Sequence, residues 1–318
     1  MAGLRGFAKV AIPASVRYMA RMQWNHLRDH GLGSAVAFNR AWWRATLANR
    51  RGRSRYRVLS EQDIRAARVS NTVFVFGSGA SLNGLGAADW ALFRQHDRFG
   101  FNLFYFQHFV PVGFHLLRGT YYGDLRWEAV AREVGEAVRG NPCFAETIFV
   151  MQEEYTAELG NTLVGFGLLP VTNPIFRYHT ARDDGPPTRS FRDGLRHSRG
   201  TLTDVVNFAY LAGWTDIVLV GVDMYDSRYF FLPPDETLGV DPATGRSVGV
   251  PRNQWRGQAA REPHNTLRNG MVELMGEWRQ ALAAEGVRLS VYNPRSLLAA
   301  VLPVYPQAGA SDALRASL

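Results

Sequence analysis

A chain of 318 residues, 46% hydrophobic and 12% aromatic, is long enough to bury one large core and carry an added arm. Its single cysteine, Cys143 in RGNPCFAE, excludes a disulfide framework, suits a reducing compartment and lacks the partner spacing of a metal site. The net charge of +8 is unevenly spread: residues 1–57 hold eleven arginines and Lys9 against one acid, Asp29, while the remainder holds 24 bases and 27 acids.

Residues 1–62 read as a basic, aromatic-rich arm. Arg5, Lys9, Arg17 and Arg21 interrupt its apolar runs, which argues against an export signal. No segment reaches the roughly 18–20 apolar residues needed to span a bilayer. Trp24, Phe38, Trp42, Trp43 and Leu47 are interleaved with Arg28, Arg40, Arg44, Arg50 and Arg51. That mixture fits a helix lying on an anionic membrane surface. It fits equally an arm packed on the body or on a partner. No stacking motif or nucleic-acid module speaks for nucleic acid.

The run RRGRSRYR, Arg50 to Arg57, marks the passage from arm to body, and residues 63–318 carry the sheet signals. Thr72–Phe76, ending in Gly-Ser-Gly, predicts a buried parallel strand stopped by a turn. Arg98–Asn102 predicts a second strand and Thr120–Tyr122 a short third. Helical periodicity covers Trp127–Arg139, and Thr147–Met151 reads as another strand. Thr203–Ala212 reads as a helix and Ile217–Gly221 as a strand. Residues 233–263 show no periodicity and read as a lid. A long helix over Leu267–Glu285, a strand over Val287–Tyr292 and a short helix over Arg295–Val301 complete the pattern. Alternation of this kind predicts an α/β, Rossmann-like fold: a largely parallel sheet with helices on both faces.

In an open parallel sheet, ligands sit beyond the carboxyl ends of the strands. Two junctions there draw notice. The first, GSGASLNG, carries Gly77, Ser78, Gly79 and Ser81 in a tight turn whose backbone N–H groups suit an anion or phosphate. It lacks the lysine of a Walker loop and the spacing of GxGxxG, and Asn83 stands where GxSxG needs a second glycine. The second junction carries Asp223, Tyr225 and Tyr229. Two neutral phenols can stabilise charge on a leaving phosphate without a metal, although tyrosines more often fill cores and Asp223 suits a turn or helix cap. Asn102 closes the second strand with an amide that both donates and accepts, suited to a base edge or ribose, or to an ordinary turn. His264, in EPHNTLRNGMVELM, stands at the lid exit, either as a proton acceptor or as a structural residue. Neither HExxH nor Asp-x-Asp occurs, so a transferase here needs either a leaving group with one phosphate or a metal-free way to stabilise it, and the expectation is no metal and no cofactor.

Taken together, these pieces resemble the bacterial sialyltransferases of glycosyltransferase family 42, and more distantly the 6-hydroxymethylpterin pyrophosphokinase-like domains. The likeness covers roughly Asn71 to Leu302 and rests on GSGASL, FNLFYF, GVDMY, a second tyrosine, a lid, a histidine with its long helix, and NPRSLLA. It implies metal-independent, inverting transfer of sialic acid or a related ulosonic acid from a CMP-sugar donor to a glycan or glycolipid acceptor. His264 is then the base, and Tyr225 and Tyr229 hold the departing phosphate. Gly77, Ser78, Gly79, Ser81, Asn102, Thr201 and Asp223 hold the nucleotide. Ser78 and Gly123 stand where the family carries asparagine, which leaves room for a CMP-linked donor other than CMP-sialic acid. The implied setting is cytoplasmic surface-glycan synthesis, peripheral to the membrane, with homo-oligomerisation open. The rival expectations are diphosphate transfer from ATP to a pterin alcohol, and a non-catalytic membrane scaffold.

Overall fold

The computed structural model describes residues 14–119, 127–153, 158–181, 185–225, 228–233, 236–240, 247–251 and 269–306. Strands β1 (Thr72–Phe76), β2 (Asp97–Phe101), β3 (Phe114–Leu117), β4 (Ile148–Gln152) and β5 (Ile175–Tyr178) lie side by side in chain order, each parallel to the next. β6 (Thr180–Ala181) and β7 (Leu195–Arg196) form a small separate pair. β8 (Asp216–Val220) then returns to pair with β1 on the side away from β2. β9 (Glu236–Val240) and β10 (Ser247–Pro251) pair antiparallel. β11 (Arg288–Val291) pairs with β8, completing a seven-stranded parallel sheet of order β11-β8-β1-β2-β3-β4-β5.

Period-two alternation gives each strand two apolar faces. In β1, Val73 and Val75 belong to one core and Phe74 and Phe76 to the other, all four fully buried. Seven helices follow in chain order among the described residues: α1 (Ala14–Gly52), α2 (Glu61–Ala66), α3 (Ala87–Arg94), α4 (Trp127–Val138), α5 (Glu158–Gly165), α6 (Thr201–Ala212) and α7 (Met271–Ala284). α6 and α7 cover the Val73 face through Val205, Phe208, Leu274 and Trp278. α3, α4 and α5 cover the Phe74 face through Phe93, Val134 and Leu163. The chain therefore leaves β1 toward one face of the sheet and leaves β8 toward the other. Adjacent strands whose exits diverge leave a crevice at their carboxyl ends, the usual ligand position in such sheets.

The basic segment is joined to this body. α1 is kinked at Gly31, where φ is 78°, and its second half buries Ala35, Trp42 and Ala45 against α5. The two backbones approach so closely that a Cβ on Gly165 would stand 2.6 Å from the Asn49 nitrogen. Leu59 N–H donates to the Ile175 carbonyl at 2.8 Å and Ile175 N–H to the Arg57 carbonyl at 2.9 Å, so residues 57–59 cover the β5 edge. Among the described residues no helix is long and apolar enough to cross a membrane.

Several sequence expectations change. The third strand is Phe114–Leu117, and the expected strand at Thr120–Tyr122 lies outside the described residues, as does Gly123. The lid segment 233–263, expected to lack regular structure, contains the β9–β10 pair, because ETLGV and SVGVP each carry a short run of strand-forming residues between turn formers. The final helix shortens to a 3-10 turn, Leu297–Ala300, because the Ser296 hydroxyl accepts from Leu298 N–H and caps it only there. α2, α3, α5, β5, β6 and β7 had no counterpart in the sequence reading.

Candidate functional site

At the carboxyl edge of the sheet, three motifs far apart in sequence meet on one carboxylate. Asp223, after β8, is 3% exposed. Its Oδ2 accepts from the Ser81 backbone N–H at 3.0 Å, and its Oδ1 accepts from the Ser81 hydroxyl at 2.6 Å and from Asn293 Nδ2 at 2.9 Å. The Ser296 hydroxyl donates to the Val222 carbonyl at 2.6 Å, and Leu297 N–H donates to the Asp223 carbonyl at 3.2 Å. The Gly-Ser-Gly turn, the Asp-x-Tyr loop and the Asn-Pro-Arg-Ser segment are thereby locked together. Asp223, expected to hold a nucleotide, directs its carboxylate at the protein's own loops.

The glycines of the turn are there for close approach. Gly77 N–H donates to the Val220 carbonyl and Gly79 N–H to the Gly221 carbonyl, both at 2.8 Å. A Cβ at Gly79 would stand 2.7 Å from the Gly221 oxygen and collide with Asp223 Oδ2. Tyr229 pairs with Gly79 in an antiparallel bridge, and Phe230 N–H donates to the Ser78 carbonyl at 3.2 Å. The ring of Tyr229 lies against Phe231, centroids 5.6 Å apart.

The crevice between β1 and β8 opens into a cavity of about 380 Å³ whose walls include Ser81, Gly221, Tyr225, Arg228, Asn293 and Arg295. That volume lies in the range of small-ligand sites. The Arg295 guanidinium sits 5.7 Å from the centroid of the Tyr225 ring. Two guanidinium groups, an amide and a phenol around an open cavity suit an anionic ligand such as a phosphate.

Asn102 follows directly on β2, the neighbour of β1, and opens a 3-10 turn with φ of 51°. Beneath it, buried His115 donates from Nε2 to the Asn102 carbonyl at 3.2 Å, the tautomer that this acceptor requires. Burial pushes the His115 imidazole down to about 3, so it is neutral. Met224 (φ 62°) and Arg199 (φ 63°) share the left-handed conformation with Asn102. The three stand after β8, before α6 and after β2. Non-glycine residues held this way cluster where the surroundings over-determine them, as at binding sites. Thr201 opens α6, whose N-terminus points to this edge without a side-chain cap. Among the described residues the side-chain polar groups of Ser78, Asn102, Thr201 and Tyr225 make no hydrogen bond.

The structure thus brings Gly77, Gly79, Ser81, Asp223 and Tyr225 together at one crevice, with Tyr229 touching it through backbone pairing. Asn102 and Thr201 stand on the same edge but not in the cavity wall. His264 lies outside the described residues.

The solved structures to which this chain is similar include sialyltransferases. CstII from Campylobacter jejuni with the substrate analogue CMP-3FNeuAc is 14% identical with a TM-score of 0.40, covering 74% of this chain and 87% of that one. A tyrosine-to-phenylalanine form of CST-II with CMP is 14% identical (TM-score 0.42), and CST-II with a trisaccharide acceptor and CMP is 16% identical (TM-score 0.41), each with the same coverage. No family model matches the chain, and no curated protein matches it.

Sequence reasoning missed Arg228 and Arg295, whose only signal was their place after β8 and β11. It also missed a polar cluster on the same edge. Asp204 on α6, fully buried, accepts from Arg118 Nη1 at 2.7 Å and lies 2.5 Å from His197 Nδ1. Tyr178 at the end of β5 approaches the same carboxylate at 3.4 Å. A charged residue inside the apolar run TLTDVVNFAYLA was the available hint, since such a residue is buried only when paired. Among the described residues, no three His, Cys, Asp or Glu side chains form a group able to hold a metal ion.

Proposed function

We propose that this chain is a glycosyltransferase that moves a sialic acid or related ulosonic acid from a CMP-linked donor to a glycan hydroxyl, with inversion and without a metal ion. The observation that carries this reading is the meeting of GSGASL, GVDMY and NPRSLL on Asp223 at the β1/β8 crevice. These are the pieces on which the family resemblance rests, and only the fold brings them together.

In this reading the cytidine monophosphate lies across the carboxyl ends of β1, β2 and β8. Asn102 and the Gly77–Ser81 turn hold the nucleoside and phosphate. The acceptor oxygen attacks the anomeric carbon as the bond to the phosphate oxygen breaks, and His264 takes the acceptor proton. The charge left on the phosphate is met by Tyr225 and Tyr229, with Arg228 and Arg295 on the cavity wall supplying the cationic field.

Calorimetric titration with CMP and with ATP, each in EDTA and in Mg²⁺, tests it. CMP binding of equal strength in both media is expected, and Arg295→Ala should weaken it about tenfold, the loss of one charge-assisted contact. ATP binding that requires Mg²⁺, with no CMP binding, would replace this reading with diphosphate transfer. Silence toward both nucleotides would leave a non-catalytic scaffold.

A further inference from the structure

We propose that one face of α1 is a docking surface for an anionic lipid bilayer. The second half of this helix divides its surface in an unusual way. Ala35, Trp42, Ala45 and Thr46 are buried on the body. Beside that seam, Leu32 (71% exposed), Val36 (62%), Trp43 (50%) and Leu47 (47%) stand open to solvent. At about 100° per residue these four fall within about 60° of one another on the helix circumference, a continuous apolar stripe. Arg40, Arg50 and Arg51 lie along or next to the stripe, all exposed. Arg44 is not counted with them, because it reaches Glu128 at 3.6 Å and covers the Phe166 ring.

The rim chemistry selects the occupant. From Gly31 to Arg57 the chain contains no Asp or Glu. A second copy seated on the stripe would set arginine rims against arginine rims, which opposes association. An acidic lipid surface complements them, accepting the apolar side chains below the headgroups and the guanidinium groups among the phosphates. A tryptophan within the stripe suits insertion at the headgroup boundary, with an apolar body and a polar N–H. The stripe lies on the helix that packs against α5, away from the β1/β8 crevice, so the inference stands whether or not the transferase reading does.

The test is co-sedimentation of the full chain with vesicles of phosphatidylcholine alone and with about 30 mol% phosphatidylglycerol, a strongly anionic surface. Binding should be confined to the anionic vesicles and weaken as salt rises. Val36→Ser with Leu47→Ser should lower partitioning at least about tenfold, as should Arg40→Gln with Arg50→Gln and Arg51→Gln. All are solvent-exposed sites, and melting temperatures within about 2 °C of wild type would show the variants folded. Equal binding to neutral vesicles, no binding to either, or retention by both variants overturns the proposal. So does a doubled solution mass by light scattering that Val36→Ser with Leu47→Ser returns to one chain, because the stripe then belongs to a second copy.

Discussion

Replacing Asp223 with alanine removes the one acceptor shared by the Gly-Ser-Gly turn and the loop after β11. Three hydrogen bonds disappear: from the Ser81 N–H at 3.0 Å, the Ser81 hydroxyl at 2.6 Å and Asn293 Nδ2 at 2.9 Å. Bonds to an ionised acceptor contribute about 1.5–3 kcal/mol each, an upper bound of about 5–9 kcal/mol for three. The site borders an open crevice, so water and loop relaxation recover part of it. The expected loss is about 4 kcal/mol, in the range of a broken buried network. Asparagine should cost less, about 1–2 kcal/mol, because its oxygen can still accept from Ser81 N–H while its amide donates to the Ser81 hydroxyl. Only the Asn293 contact is lost, since Asn293 Oδ1 is held by the Arg295 N–H at 3.0 Å. Urea unfolding followed by circular dichroism measures both. A cycle with Ser81→Ala should show coupling of about 1 kcal/mol, since that change removes the hydroxyl bond to the carboxylate and leaves the backbone one. If Asp223→Ala loses under about 1 kcal/mol with an unchanged urea slope, the carboxylate does not hold these loops together and the convergence argument falls.

His115 makes stability depend on pH. Its folded value of about 3 lies below the ordinary 6.5, so between those values the unfolded chain binds a proton that the folded chain refuses. Its contribution is complete above 6.5 and is lost as pH falls toward 3, at up to about 1.4 kcal/mol per pH unit. His115→Leu should flatten that slope in urea titrations at several pH values, and coincident slopes would refute the buried neutral imidazole. Gly79→Ala forces a methyl group against Asp223 Oδ2 and the Gly221 oxygen. A loss of about 2–3 kcal/mol with weakened CMP binding is expected, and an unshifted melting temperature would show the approach to be looser than described.

What the sequence determined by itself was local. The β1 strand ends where the β-branched and aromatic run meets Gly-Ser-Gly, and α6 ends where Gly213, at φ 95°, can adopt a conformation others resist. Apolar runs buried on both faces made a parallel sheet legible before any strand was paired. The order of those strands was not legible, because nothing local in Asp216–Val220 says that it lies against Thr72–Phe76, more than a hundred residues earlier. That pairing sends the exits of β1 and β8 to opposite faces and creates the crevice. It also decides the role of Asp223, read as a nucleotide contact but turned inward by Ser81 and Asn293, and brings Arg228 and Arg295 to one cavity. Spacing along a chain reports which groups share a helix face or a strand face. Which loops share a sheet edge depends on how distant strands bury their apolar faces against common helices, and only the tertiary structure settles it.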